Sequence, residues 1–227
     1  MSALYRLGFL VREAGVALDK LGCMLQGNFA FREQLNRSRN LMNLGSRQPI
    51  LGKDVFVASN AVVVGDVQLG HQSSVYMGAV LRGDGGKINV GEQTNIQDGT
   101  VISTGANSID GHAADTSIGS KVTIGHQVSL HGCTIEDEAL IGMGATINGA
   151  KIERGSMVAA GAVVAHGTVV PASEIWGGNP ARHLRSLKPE EAKFLSESAA
   201  HYVNVSAEHL KDAKLSLIDI AKQKGLA

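Results

Sequence analysis

The 227-residue chain is 44% hydrophobic, enough for one sizeable core with appendages and too apolar for a disordered polymer. Its 21 Lys and Arg balance 21 Asp and Glu, which excludes a global field that would gather nucleic acid, and no run of about 18 uncharged apolar residues exists to form a membrane-spanning helix. Aromatic residues make up only 4% while glycines number 28, a pairing that points to stacked layers of small and β-branched side chains, and two cysteines, Cys23 and Cys133, give no disulfide framework and fit a reducing compartment.

Residues 1–47 form a basic segment, with Arg6, Arg12, Lys20, Arg32, Arg37, Arg39 and Arg47 set against Glu13, Asp19 and Glu33. Leu4, Leu7, Val11, Ala14, Leu18, Leu21 and Leu25 follow a three-four spacing that predicts an amphipathic helix. Gly8, Gly15 and Gly22 recur beside that stripe and leave room for close approach of another surface, at a cost in helix propensity of about 1 kcal/mol each. The stripe admits three berths: the chain's own domain, another protein, or a membrane surface. An Arg-biased amphipathic start also resembles a mitochondrial targeting segment, against which its acidic residues count. A second amphipathic piece, FAFREQLNRSRNLMNL over 29–44, leads into the next segment.

From Leu51 a six-residue beat takes over: Leu51, Val57, Val63, Leu69, Val75 and Leu81, then Val90, Ile96 and Ile102, then Ile118, Ile124 and Leu130. It resumes after single-residue slips as Ile135, Ile141 and Ile147, and as Ile152, Val158, Val164 and Val170. A helix needs apolar recurrence near 3.6 and a half-buried strand near 2, whereas period six with glycine at the turns predicts an all-β solenoid, a parallel β-helix of hexapeptide repeats over 48–180. Three hexads make one triangular coil. Proline would remove a donor from the stacked backbone, and Pro49, Pro171, Pro180 and Pro189 all avoid the repeat. Two interruptions, RGDGGKIN between Leu81 and Val90 and the stretch 104–116 with His112, are expected to bulge out as loops.

Residues 181–227 change character. Pro189 with Glu190 and Glu191 marks a helix start, and Leu195, Ala199, Tyr202, Ser206 and Leu210 give an apolar face, widened by Val203 and Val205. A helix from about Pro189 to at least Leu210 is expected along a flank of the β-helix or of a neighbouring subunit.

His126 falls two residues after its beat and His131 one residue after the next, which places both near a prism edge with outward imidazoles. Such a pair commonly serves as polar surface. Catalytic zinc needs three protein ligands plus a water, so a third donor would have to come from elsewhere.

Six motifs carry a resemblance: LRGD at Leu81, NIQDG at Asn95, TIGH…LHGC from Thr123, IGMGA at Ile141, MVAAGAVV at Met157 and WGGNPAR at Trp176. Together they resemble the γ-class carbonic anhydrases over roughly residues 29–205. The FREQLNRSRNLMNL lead-in resembles the mitochondrial branch whose members are subunits of respiratory complex I in plants, algae and some protists. The resemblance implies a trimer of left-handed parallel β-helices, with zinc between subunits held by two histidines of one chain and one of the next.

Under that resemblance, Arg82 and Asp84 match an interface ion pair, Gln97 and Asp98 a polar active-site pair, and His126 and His131 two of the three zinc ligands. The remaining ligand lies six residues beyond the Gln of the NxQD motif, where this chain has Ser103, directly after its beat residue Ile102 as His131 directly follows Leu130. A neutral hydroxyl is a poor substitute for imidazole on zinc. The family arrangement puts position 103 and His131 on one side of an interface, with His126 reaching across to the other. A homotrimer would then hold three two-histidine sites, too weak to keep zinc or to bring bound water toward a pKa of about 7. In a heterotrimer His126 would complete a site on a ligand-complete neighbour. His112 swinging back, or Cys133 as thiolate, are the two rescues available; His71, His166, His183, His201 and His209 have no matched role.

The resemblance thus implies a γ-carbonic-anhydrase-like subunit of mitochondrial complex I (NADH dehydrogenase), acting mainly in assembly and architecture within a trimer of such subunits. It would sit peripherally on the matrix side of the inner membrane and meet membrane-arm subunits through its N-terminal helices. Zinc is expected only at an interface with a ligand-complete partner and none for the chain alone. Two other readings are an active zinc enzyme hydrating CO2 to bicarbonate and a hexapeptide acyltransferase using His126 or His131 as general base; the LRGD and NIQDG matches count against the latter.

Overall fold

The computed structural model describes residues 3–27, 39–104 and 115–212, in two compact units, 1–38 and 39–227. In the first, the three-four stripe forms helix α1, Ala3–Gln26, which ends at Gly27 with φ +59°, the left-handed conformation that glycine adopts at helix ends without steric cost. Leu4, Leu7, Val11, Leu18, Leu21 and Leu25 are all solvent-exposed, Leu4 at 84%. None of the described helices is long and apolar enough to cross a membrane.

The second unit is a three-sided parallel β-solenoid, and the beat residues are its core columns. The chain winds from a first face to a second and then a third. On the third face Val57, Val75, Ile96, Ile124, Ile141, Val158 and Trp176 pair in parallel register, one residue from each of seven stacked coils. On the first, Val63, Leu81, Ile102, Leu130, Ile147 and Val164 align. On the second, Leu51, Leu69, Val90, Ile118, Ile135, Ile152 and Val170 align. Apart from the outer-coil residues Leu51, Val57 and Trp176, which pack partly buried against the core, the columns are buried, with Ile96, Ile102, Ile124, Ile141 and Ile147 fully so.

Two expectations are corrected in the chain's path, and one strand is added to it. The RGDGGKIN interruption is not a loop: it belongs to the strand Val80–Val90, which bends round the corner from first to second face alongside Val62–Leu69. Residues 84–87 stand opposite Asp66 alone, so the extra residues are absorbed as a bulge. Local partners explain why: Lys87 N–H donates to Asp115 Oδ1 at 2.7 Å and Gly85 N–H to Asp84 Oδ1 at 3.0 Å. The amphipathic piece expected over 29–44 does not end as helix; Leu41–Met42 is a strand parallel to residues 63–64, with Val63 N–H donating to the Asn40 carbonyl, and the earlier part lies outside the described residues. Beyond the last coil, Arg182–Ser186 adds an antiparallel strand to Glu174–Gly177, which no sequence signal announced. Residues 105–114, including His112, lie outside the described residues.

Helix α2, Pro189–Asp212, lies against the third face. Leu195, Ala199 and Ser206 are buried, and Tyr202, Val205 and Leu210 pack on the core. The Tyr202 and His209 rings close over Tyr76, and His209 stacks on Phe56. Its start is fixed by Glu191, whose carboxylate accepts from Lys188 N–H at 2.9 Å and from both Arg185 amino groups at 2.7 Å.

Ile124 sits mid-stack with neighbours above and below. Ile124→Ala is expected to cost about 2–5 kcal/mol, read as a lower denaturant midpoint with an unchanged slope; a loss under about 1 kcal/mol would contradict a tightly filled column.

Candidate functional site

Two edges of the first face carry the polar residues singled out in the sequence. At the corner where the third face gives way to the first, Asp98 and His126 each stand two residues past a core isoleucine, Ile96 and Ile124, whose strands pair directly. The ladder continues through the turn, with Gln127 N–H donating to the Asp98 carbonyl at 2.8 Å. The Asp98 carboxylate spans two coils: Oδ1 accepts from Met77 N–H at 3.0 Å, and Oδ2 lies 2.9 Å from His126 Nδ1. Both side chains are about half exposed, His126 at 42%.

Gln97 does not share this position. It is buried, and its amide donates to Asn95 Oδ1 at 3.1 Å. Asn95 donates to Thr123 Oγ1 at 3.0 Å, and Thr123 Oγ1 meets Ser198 of α2 at 3.3 Å. Adjacent in sequence, Gln97 and Asp98 serve different neighbours, one the helix berth and the other a surface imidazole.

At the far edge of the first face, Arg82, Ser103, His131 and Asn148 stack in register on successive coils. Ser103 Oγ lies 2.9 Å from His131 Nδ1. Arg82 forms an ion pair with Asp84 of its own chain, Nε donating to Oδ2 at 3.1 Å, and this guanidinium holds the Asp84 carboxyl below the usual carboxylate range. Arg47 Nη1 donates to the Asp84 carbonyl at 2.6 Å. Cys133 is buried, and burial pushes its thiol up to about 12, so it packs as a small apolar group and supplies no thiolate at neutral pH.

His126 and His131 therefore belong to opposite edges. They stand in different register columns, with up to roughly 16 Å of extended chain between them at about 3.3 Å per residue, whereas two imidazoles on one zinc each lie about 2 Å from it. Among the described residues no group of three or more His, Cys, Asp or Glu could hold a metal ion. The described donors of one chain do not fit zinc: each edge carries only part of the ligand set that the resemblance implies. The remaining histidines are scattered: His71 Nδ1 meets the Lys53 carbonyl at 2.9 Å, the His166 ring overlies Gly149, and His183 lies 3.8 Å from Glu174. The contacts of Asp98 with His126 and of Ser103 with His131 were readable in principle, because each pair shares one phase of the beat, two residues and one residue after it respectively.

The profile of the family described as "Bacterial transferase hexapeptide (six repeats)" matches residues 115–149. The chain is 50% identical over 223 residues to "Gamma carbonic anhydrase 1, mitochondrial" of Arabidopsis thaliana, covering 97% of this chain and 81% of that protein. It is 44% identical over 158 residues to "Probable carbonic anhydrase" of Methanocaldococcus jannaschii, covering 69% of this chain and 96% of that one. Among solved structures, a hexapeptide transferase family protein from Anaplasma phagocytophilum superposes with a TM-score of 0.68 at 42% identity, over 73% of this chain and 95% of that one.

The Cys133 thiol gives a pH signature with a definite sign. Its ionisation moves from 9.0, the ordinary value, to about 12 on folding, so between those values the unfolded chain releases a proton that the folded chain retains. Stability is complete below about pH 9 and falls as pH rises toward 12. The urea midpoint should drop between about pH 9 and about pH 10.5, and Cys133→Ala should make that drop smaller; an identical drop in the variant would contradict the buried thiol.

Proposed function

The chain belongs to the γ-class carbonic anhydrase family, and from that premise we propose that it is a mainly structural subunit of a trimer of related chains in mitochondrial respiratory complex I. The observation that carries this reading is the division of the site between two edges of one face. His126 stands on one edge, Ser103 and His131 on the other, and ions could be held only where the His126 edge of one prism meets the 103/131 edge of another. This chain's 103/131 edge has lost a donor, because Ser103 offers a neutral hydroxyl that is already engaged with His131 Nδ1. Its His126 edge is intact. In a mixed trimer it contributes His126 to a neighbour whose own edge carries two histidines, while its other edge contributes contacts only.

Zinc in this family's site would polarise a bound water to hydroxide near neutral pH. The described residues of this chain do not assemble that site among themselves, so no CO2 hydration is expected from a homotrimer. Arg82, Asp84 and Arg47 then act as a rigid charged edge for the subunit interface. Location in mitochondria accords with the names of the close relatives, and the FREQLNRSRNLMNL lead-in resembles the complex I branch. The leucine stripe of α1 is solvent-exposed and carries Arg12 and Lys20 beside it. These features suit peripheral docking on the membrane arm from the matrix side, through protein and lipid headgroups.

Elemental analysis of purified trimers with subunit identities assigned tests the reading. We expect no zinc in a homotrimer of this chain and zinc in trimers mixed with a ligand-complete relative. Ser103→His should restore zinc to the homotrimer, up to one per chain. One zinc per chain in the unmodified homotrimer would overturn the structural reading and direct attention to His112.

A further inference from the structure

The two histidines differ in how their Nδ1 atoms are held. His126 Nδ1 lies 2.9 Å from Asp98 Oδ2. A carboxylate offers only lone pairs, and a lone pair on Nδ1 facing it at that distance would be repelled, so the proton resides on Nδ1 and the lone pair on Nε2. The carboxylate cannot turn away cheaply, because its other oxygen accepts from Met77 N–H one coil below. His131 Nδ1 instead faces the Ser103 hydroxyl at 2.9 Å, which donates or accepts equally well. Serine fixes the ring's place but not its tautomer.

We propose that Asp98 is the positioning residue for His126: gripped between the Met77 amide and the imidazole, its carboxylate fixes the Nδ1–H tautomer and presents the Nε2 lone pair outward. Of the two histidines, only His126 is thereby prepared as a metal ligand before any partner or ion arrives. This deepens the reading of His126 as a ligand given to a neighbour, since metal-bound histidines generally have their other ring nitrogen fixed by a hydrogen-bond acceptor. It also assigns Asp98 a role within its own chain, separate from Gln97.

Solid-state 15N NMR of the full chain, labelled at histidine and kept metal-free at about pH 8, where an ordinary imidazole is neutral, reads the tautomer directly, with the His126 signals assigned by their loss in His126→Gln. The expected result is Nδ1–H for His126. Asp98→Asn keeps the side-chain shape, but an amide has one oxygen; with that oxygen on Met77 N–H, its NH2 faces the ring and should invert His126 to Nε2–H. Ser103→Ala should leave His126 unchanged. An Nε2–H signal for His126 in the unmodified chain, or no change in Asp98→Asn, would overturn the proposal. Zinc titration of mixed trimers provides the functional arm: Asp98→Asn should weaken binding about 10–100-fold, and equal affinity would also overturn it. Mixed trimers that hold no zinc, with the Nδ1–H tautomer present and inverted by Asp98→Asn, would sink the ligand-giving reading while the positioning role stands.

Discussion

Backbone hydrogen bonds between successive coils are the constraint on which this structure depends. Tyr76 N–H donates to the Ile96 carbonyl, Gln97 to Ile124, Gly125 to Ile141 and Gly142 to Val158, so each amide one residue after the beat finds the carbonyl of the beat residue one coil on. Residues on a short strand cannot satisfy their backbones along the chain, and stacking is the only solution open to them. The coils must then approach closely. A Cβ on Gly91 would lie 2.5 Å from the Gly119 carbonyl carbon, and one on Gly70 equally close to Gly91. A column of glycines at that corner is the price of the ladder, and the aliphatic columns inside are its counterpart.

Register makes phase the organising coordinate for chemistry as well as for packing. Residues two after the beat on the third face form one column, with Met77, Asp98 and His126 linked by side-chain and backbone contacts. Residues one after the beat on the first face form another, Arg82, Ser103, His131 and Asn148. Because a face is one hexad wide, these columns lie on opposite edges, and no local adjustment brings them together. A site built from both phases has to be built between prisms. Complementation between unequal chains is then natural, since damage to one column leaves the other untouched.

How much of this the sequence disclosed has the same physical origin. Period six was legible because the interior of the prism tolerates little besides aliphatic side chains, so every beat residue from Leu51 to Val170 fell into its column. Helix α2 was legible because Pro189, Glu190 and Glu191 mark its start and its apolar face calls for a berth; of the two that the sequence left open, a flank of the β-helix or a neighbouring subunit, the third face of its own solenoid takes it. The bulge at residues 84–87 was not, because its accommodation depends on Asp115, 28 residues away in sequence. Leu41–Met42 reads locally as part of a helix because its pattern is amphipathic; the open edge of the first face at Val63 claimed it as a strand. Strand Arg182–Ser186 is exposed along its whole length and so has no apolar alternation to betray it. The candidate ligands were legible by type, while the partners of their Nδ1 atoms, one coil below, appear only when residues are read by phase.

Outward phases are also where change costs the fold least. Ser103 is flanked by Ile102, which is fully buried and carries the column, but Ser103 itself contributes only an oxygen to the surface edge. Exchanging the residue there alters the chemistry of one edge and leaves the Ile102 column in place. Architecture and edge chemistry are thus separable in a three-sided solenoid: the inward phase specifies the prism, and the outward phases decide which polar groups its edges present. A chain can keep the inward phase intact, lose one donor at one edge, and still dock, stack and hold out His126 at the other. That combination suits the role proposed for this chain, in which shape and contacts matter more than a complete donor set on either edge.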